Sequence, residues 1–144
     1  MSVVANQQRT FLRLIRGLRP HWDRDPALPA RIQSLLAANR QFGARDRRLY
    51  RELIYATLRF LPWIEPLLDH DADRAVRVAA WVAPAVRDTL RFRAETCGDW
   101  PPPGTVGERA AFLGVEAAAV LPAWFRDECP DLFASPELDA QVAR

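Results

Sequence analysis

Residues 43–60 read Gly43-Ala44-Arg45-Asp46-Arg47-Arg48-Leu49-Tyr50-Arg51-Glu52-Leu53-Ile54-Tyr55-Ala56-Thr57-Leu58-Arg59-Phe60, and their period decides the fold class. With successive residues about 100° apart, Leu49, Leu53, Ala56 and Phe60 form a narrow apolar stripe, widened by Tyr50, Ile54 and Thr57. Arg48, Glu52, Tyr55 and Arg59 line the opposite face, with Arg51 beside them. The pattern predicts an amphipathic helix over 45–61 with Asp46 as its N-cap. Arg47 falls near the edge of the stripe, a phase that would let it pair with a carboxylate inside a bundle. Tyr55 among arginines is suited to stack on a base, although a half-buried tyrosine at a helix edge is the simpler role.

The same period extends in both directions. Over residues 4–18, Phe11, Leu14, Ile15 and Leu18 fall in one arc, and Arg9, Arg13 and Arg16 lie opposite, with Arg19 flanking them. Gly17 and Pro20 mark the end of that helix. A Pro- and Asp-rich connector at 20–29 leads to a second helix over 29–40, with Ile32, Leu35, Leu36 and Asn39 on one side. Past the central helix, Pro62 is a break. Short helices are expected over 63–68, 72–83 and 85–95, the last with Val86, Leu90 and Phe92 inward. Gly98 to Gly107, with three successive prolines, reads as a loop. Helical pieces over 108–119 and 121–128 and a short one from Glu137 complete the chain. No segment alternates with a strand period and no internal repeat is present. The expectation is all-α, six to eight helices without a sheet, divided into a helical domain over 1–120 and the start of a linker over 121–144.

A chain of 144 residues with 49% apolar residues has the composition of one globular domain. Neither a membrane span nor a signal peptide is legible, so the cytoplasm is the expected location. Two cysteines, Cys97 and Cys129, are too few for a disulfide framework.

The net charge of +2 hides an asymmetry. Residues 1–60 hold twelve arginines against four acids, a net +8, while residues 61–144 hold eight against fourteen, a net −6. Every basic residue is arginine, and this basic half points to a polyanion-binding face. A merely solvated helix face more often mixes its signs in i,i+4 pairs. Arg9, Arg13 and Arg16 on the first helix and Arg45, Arg48 and Arg51 on the third are therefore the candidate RNA-binding residues, expected to converge on one surface.

No chemistry-bearing motif accompanies them. There is no phosphate-cradling glycine loop and no dinucleotide fingerprint. Asp69-His70-Asp71-Ala72-Asp73 has the wrong spacing for a standard metal site and reads as an acid-rich helix start. His21 and His70 lack a triad context, and nothing beside either cysteine supplies a base. No catalytic residue, metal or cofactor is assigned to this chain.

The segment from Gly43 to Arg59 resembles the G-S-R-D-R-x-x-x-x-E-L-V-Y-G-V-L-R signature of NusB-like domains. More narrowly, it is similar to that domain at the N-terminus of the RsmB (Sun/Fmu) ribosomal RNA cytosine-5 methyltransferases. Leu121-Pro122-Ala123-Trp124-Phe125 resembles the L-P-x-W-L that follows the domain there. Ala56 stands for the usual glycine, and the 95–107 loop departs from the P-x-H-A-A-V-N-E stretch. The resemblance implies a NusB-like helical bundle that helps hold ribosomal RNA, the accessory part of an S-adenosylmethionine-dependent enzyme. The catalytic domain would begin beyond Arg144, and its S-adenosylmethionine loop and catalytic P-C-S and T-C-S cysteines are absent. A NusB-type transcription antitermination factor is the nearest alternative, against which the L-P-x-W segment and the extended tail argue. A protein-interaction bundle is the other, and it would need the arginines scattered over the surface.

Overall fold

The computed structural model describes residues 2–23 and 25–120. Among these the chain is all-α, with seven α-helices, a terminal 3₁₀ turn and no strand. The expected helices at 121–128 and from Glu137, the Leu121–Phe125 motif, the linker over 121–144 and Cys129 lie outside the described residues.

Helix α1 spans Val3–Leu18, α2 Leu28–Ala38, α3 Ala44–Arg59, α4 Leu61–His70, α5 Ala72–Val82, α6 Arg87–Cys97 and α7 Val106–Leu113, followed by a 3₁₀ turn over Ala117–Val120. The Ser2 hydroxyl starts α1 by accepting from the Ala5 N–H. Helix α3 begins at Gly43, which has no side chain to cap with, so Asp46 is not the N-cap. It sits in the first turn, where its carboxylate suits the helix dipole and accepts from Gln7 Nε2 at 2.9 Å. Pro62 does not leave a gap: Phe60 alone separates α3 from α4, and the proline occupies the first turn of α4, where a missing N–H costs little. Gly114 ends α7 at φ +71°, and the Val115 N–H reaches back to Ala110 O at 3.0 Å. That six-to-one closure requires a left-handed residue, which glycine adopts without a Cβ penalty.

Helix α3 is the centre of the bundle, packed against α1, α2, α4, α5 and α6. Its inner side is the stripe read from sequence: Leu49, Tyr50, Leu53, Ile54, Ala56 and Thr57 are all buried, with Phe60 following. Helix α1 buries Phe11, Leu14, Ile15 and Leu18, and α2 buries Ile32 and Leu36. Helix α5 is a second spine. Ala75, Val76, Val78, Ala79, Ala80, Trp81 and Val82 are all buried, and the small alanines and valines let α1, α3, α4 and α6 approach closely.

Helix α6 turns differently from its expected phase. Val86 and Leu90 are 41% and 48% exposed, and the inner face is made by Thr89, Phe92, Thr96 and Cys97. Polar anchoring sets this rotation. The Thr89 hydroxyl accepts from the Val86 N–H and donates to Pro84 O, and Arg93 donates to Ala80 O at 3.1 Å and to Ala83 O. These are the unsatisfied carbonyls at the end of α5, so Arg93 is a cap supplied from another helix.

The tryptophans tie loops to this core. Trp81 Nε1 donates to Pro101 O at 2.7 Å, and Trp81, Trp100 and Phe112 form a three-ring cluster with centroids 5.1 to 5.5 Å apart. Trp63 Nε1 holds Glu116 O at 3.0 Å, fixing the approach to the 3₁₀ turn. Trp22 Nε1 donates to Glu65 at 2.9 Å. No described helix is long and apolar enough to cross a membrane.

Candidate nucleic-acid interface

Two helices carry the arginines singled out from sequence, and two polar contacts fix how they lie. Gln7 bonds Asp46, and three to four residues further along each helix Thr10 hydrogen-bonds the Tyr50 hydroxyl. Contacts that advance in the same direction along both helices make α1 and α3 neighbours running in the same sense.

On α1, Arg9, Arg13 and Arg16 are exposed on the side away from Phe11, Leu14 and Ile15. The helix contains no acidic residue. A hollow of about 450 Å³ runs along it, lined by Asn6, Arg9, Thr10, Leu12, Arg13 and Arg16, without a carboxylate. The positive charge of Arg13 acts on the Tyr50 hydroxyl of α3 and favours its ionised form. Burial nevertheless dominates there and raises that phenol above its ordinary range. Arg19, the flanking residue, is withdrawn from the face: it forms a two-pronged pair with Asp69 at 2.8 Å and 2.8 Å and lies 3.9 Å from Glu65. That pair holds the Asp69 carboxyl below its usual range.

On α3, Arg45, Arg48 and Arg51 are all exposed. Arg48 leans toward α6, where its Nε lies 3.1 Å from Asp88. Arg47 is exposed too, and no carboxylate among the described residues lies within bonding range of it, so it does not enter the bundle to pair with an acid. Tyr55 is half-buried at the helix edge. The α1 and α3 arginines are thus exposed on two helices that pack against each other, and the α1 hollow is lined by α1 alone, without Arg45, Arg48 or Arg51.

A second depression lies on the other flank of α1, between α1, the start of α5 and the end of α6, with a volume of about 660 Å³. It was not legible in the sequence. Arg74 and Arg77 of α5 lie far in sequence from the basic half of the chain. Their i,i+3 spacing on α5 was the available signal, masked by the run of alanine and valine around them.

Asp71 caps α5 by accepting from the Arg74 N–H at 3.1 Å, which accounts for part of the acid-rich 69–73 stretch. Among the described residues no group of three His, Cys, Asp or Glu is placed to hold a metal ion. Cys97, the last residue of α6, is buried, and burial pushes its thiol up to about 11. Such a thiol is protonated at neutral pH and is a poor nucleophile. No family model, curated protein or solved structure matches this chain.

Proposed function

We propose that this chain is an RNA-binding helical domain. The observation that carries the reading is the outer face of α1: three exposed arginines on a helix without a single acid, along a hollow lined without a carboxylate. Phosphate oxygens are the complement of such a row, because each guanidinium offers paired donors and releases condensed counterions on contact. Arg45, Arg48 and Arg51 on the neighbouring helix α3 extend the face. Position along an RNA would come from these phosphate contacts and specificity from exposed bases or shape.

The signature at Gly43–Arg59 supports a narrower version. In it the chain is a NusB-like accessory domain of an S-adenosylmethionine-dependent ribosomal RNA cytosine-5 methyltransferase, holding ribosomal RNA for a catalytic domain elsewhere. No group in the described residues is assigned a catalytic part.

The test is a salt titration of binding to ribosomal RNA fragments, followed by fluorescence anisotropy, with transfer RNA as comparison. Steep salt dependence and tighter binding to the ribosomal fragments are expected. Arg13→Gln with Arg16→Gln should weaken binding to all sequences alike. A flat salt dependence in the wild type would overturn the reading and favour a protein-binding bundle.

A further inference from the structure

The two hollows lie side by side on α1, where Arg9 and Leu12 line both. Their chemistry differs. The α1 hollow is purely cationic, whereas the cleft is lined by three arginines (Arg9, Arg74, Arg77) and three carboxylates (Asp71, Asp73, Glu95). A cleft with that balance is no general anion sink, because the carboxylates repel a bare phosphate as strongly as the arginines attract it.

Its cationic wall is pre-organised. The Arg74 and Arg77 guanidinium carbons lie 5.4 and 5.9 Å from the centroid of the Trp100 ring. Trp100 is itself held edge-to-face by Trp81 at 5.5 Å. The ring's quadrupole attracts both guanidiniums and restrains them, so less rotamer freedom is lost when an oxyanion arrives. Arg77 also lies 3.8 Å from Asp99 in an exposed pair that a phosphate can displace. On the opposite wall, Gln8 Nε2 donates to the Thr96 hydroxyl at 3.0 Å, fixing α1 against α6 and setting the width of the cleft. Asp73 carries no ion pair among the described residues, and Glu95 holds only a loose 3.7 Å contact with Arg91.

We propose that this cleft seats one nucleotide of a single-stranded RNA whose backbone runs along α1, with its phosphate on Arg74 and Arg77 and its base edge on the carboxylates of Asp73 and Glu95. The proposal rests on the RNA-binding reading above. Ionised carboxylates only accept hydrogen bonds, so they favour a base that presents an amino donor at its pairing edge. Cytosine offers two N–H donors on its N4 amino group, one for each carboxylate, whereas uracil offers a single N3–H flanked by the O2 and O4 acceptors, which repel the carboxylates; the two bases are of one size and stack alike. The site therefore discriminates C from U, and Arg74, Arg77, Asp73 and Glu95 join the candidate binding residues.

The experiment measures binding of the full chain to ten-nucleotide oligo(C) and oligo(U) at fixed salt. The wild type is expected to bind oligo(C) about fivefold to tenfold more tightly, the discrimination of one good carboxylate–amino contact. Asp73→Asn with Glu95→Gln should bring that ratio close to one and leave oligo(U) binding unchanged or stronger. Arg74→Gln with Arg77→Gln should weaken both oligomers by about tenfold and flatten the salt slope by roughly two. Asp73→Asn alone, at an exposed side chain, gives the base-preference readout in a protein that keeps its melting temperature. If the wild type binds RNA but binds oligo(C) and oligo(U) equally, or ignores the loss of Arg74 and Arg77, the cleft is not a nucleotide site and the α1 face stands without it. If the wild type binds no RNA, both readings fall together.

Discussion

Arg48 on α3 and Asp88 at the start of α6 are 3.1 Å apart, although the sequence places them on the basic and acidic sides of the chain. Arg48 remains half-exposed, while Asp88 is largely covered. An acid at this distance offsets much of the charge that Arg48 would offer to phosphate. Arg13→Gln is therefore expected to flatten the salt slope of RNA binding by about one, and Arg48→Gln by less than half of that. Asp88→Asn releases the guanidinium and should tighten RNA binding. Neither arginine variant should lose more than about 1 kcal/mol of stability, which melting curves check alongside the binding isotherms.

Arg93 stabilises the fold from a position that resembles a surface charge in sequence. It satisfies Ala80 O and Ala83 O at the end of α5 and is half-buried there. Burial pushes its pKa down, yet arginine stays charged at any accessible pH. Arg93→Met keeps the apolar stem and removes the donors, leaving buried carbonyls without partners. A loss of about 2 kcal/mol is expected in urea unfolding, against roughly no change for Arg91→Met on the exposed side of the same helix.

Leu53 is fully buried at the middle of α3, the helix on which five others pack. Leu53→Ala should cost about 3 kcal/mol, the transfer loss plus a cavity that several helices cannot collapse together. Ala56, equally buried, is the complementary case: Ala56→Leu adds volume where a close helix contact leaves none, with about 2 kcal/mol lost to overpacking. Chemical denaturation of both variants, with circular dichroism to confirm retained helix, distinguishes these losses from unfolding.

Cys97 makes stability fall at high pH. Its thiol is raised from 9.0 to about 11 by burial, so the folded chain holds the proton more tightly than the unfolded one. The contribution is fully present below pH 9 and is lost as pH rises toward 11, with a total of about 2 kcal/mol. Urea midpoints measured from pH 8 to pH 11 should decline, and Cys97→Ala should remove a large part of the slope. In a Cys129→Ser background, Cys97 should also resist a thiol reagent at pH 8 until urea unfolds the chain. Rapid labelling of the folded protein would contradict the burial assigned to it.

The elements that sequence located correctly are those where one helix face does one job. The α3 stripe from Leu49 to Phe60 and the α1 arc of Phe11, Leu14, Ile15 and Leu18 are buried residue for residue, because a 3.6-residue period leaves only one way to hide them. Helix α6 shows where that logic ends. Val86 and Leu90 are apolar but exposed, while Thr89 and Arg93 turn inward to reach carbonyls of the preceding loop and helix. Hydropathy ranks side chains by their cost in water and is blind to a polar group that finds partners in the fold. Asp46 is a different case: α3 starts earlier than the local pattern suggested, at Ala44 after Gly43, so Asp46 already lies in the first turn and its carboxylate is free to accept from Gln7.

The candidate site divides in the same manner. The arginine row on α1 is a property of one helix and of the charge imbalance in residues 1–60, so the chain states it before folding. The pairings of Arg19 with Asp69 and Arg48 with Asp88, fifty and forty residues apart, exist only because α4 and α6 are brought alongside. The cleft of Arg74, Arg77, Asp73 and Glu95 likewise needs α1, α5 and α6 to meet, with Trp100 holding the two arginines from outside its lining. The sequence by itself determined the all-α class, the buried faces of α1 and α3 and the sign of the α1 surface, because period and charge are local. Tertiary packing alone decided which charges are neutralised and which charged side chains meet in the cleft of α1, α5 and α6, because Coulomb attraction and hydrogen bonding act on distance in space, which no local pattern encodes.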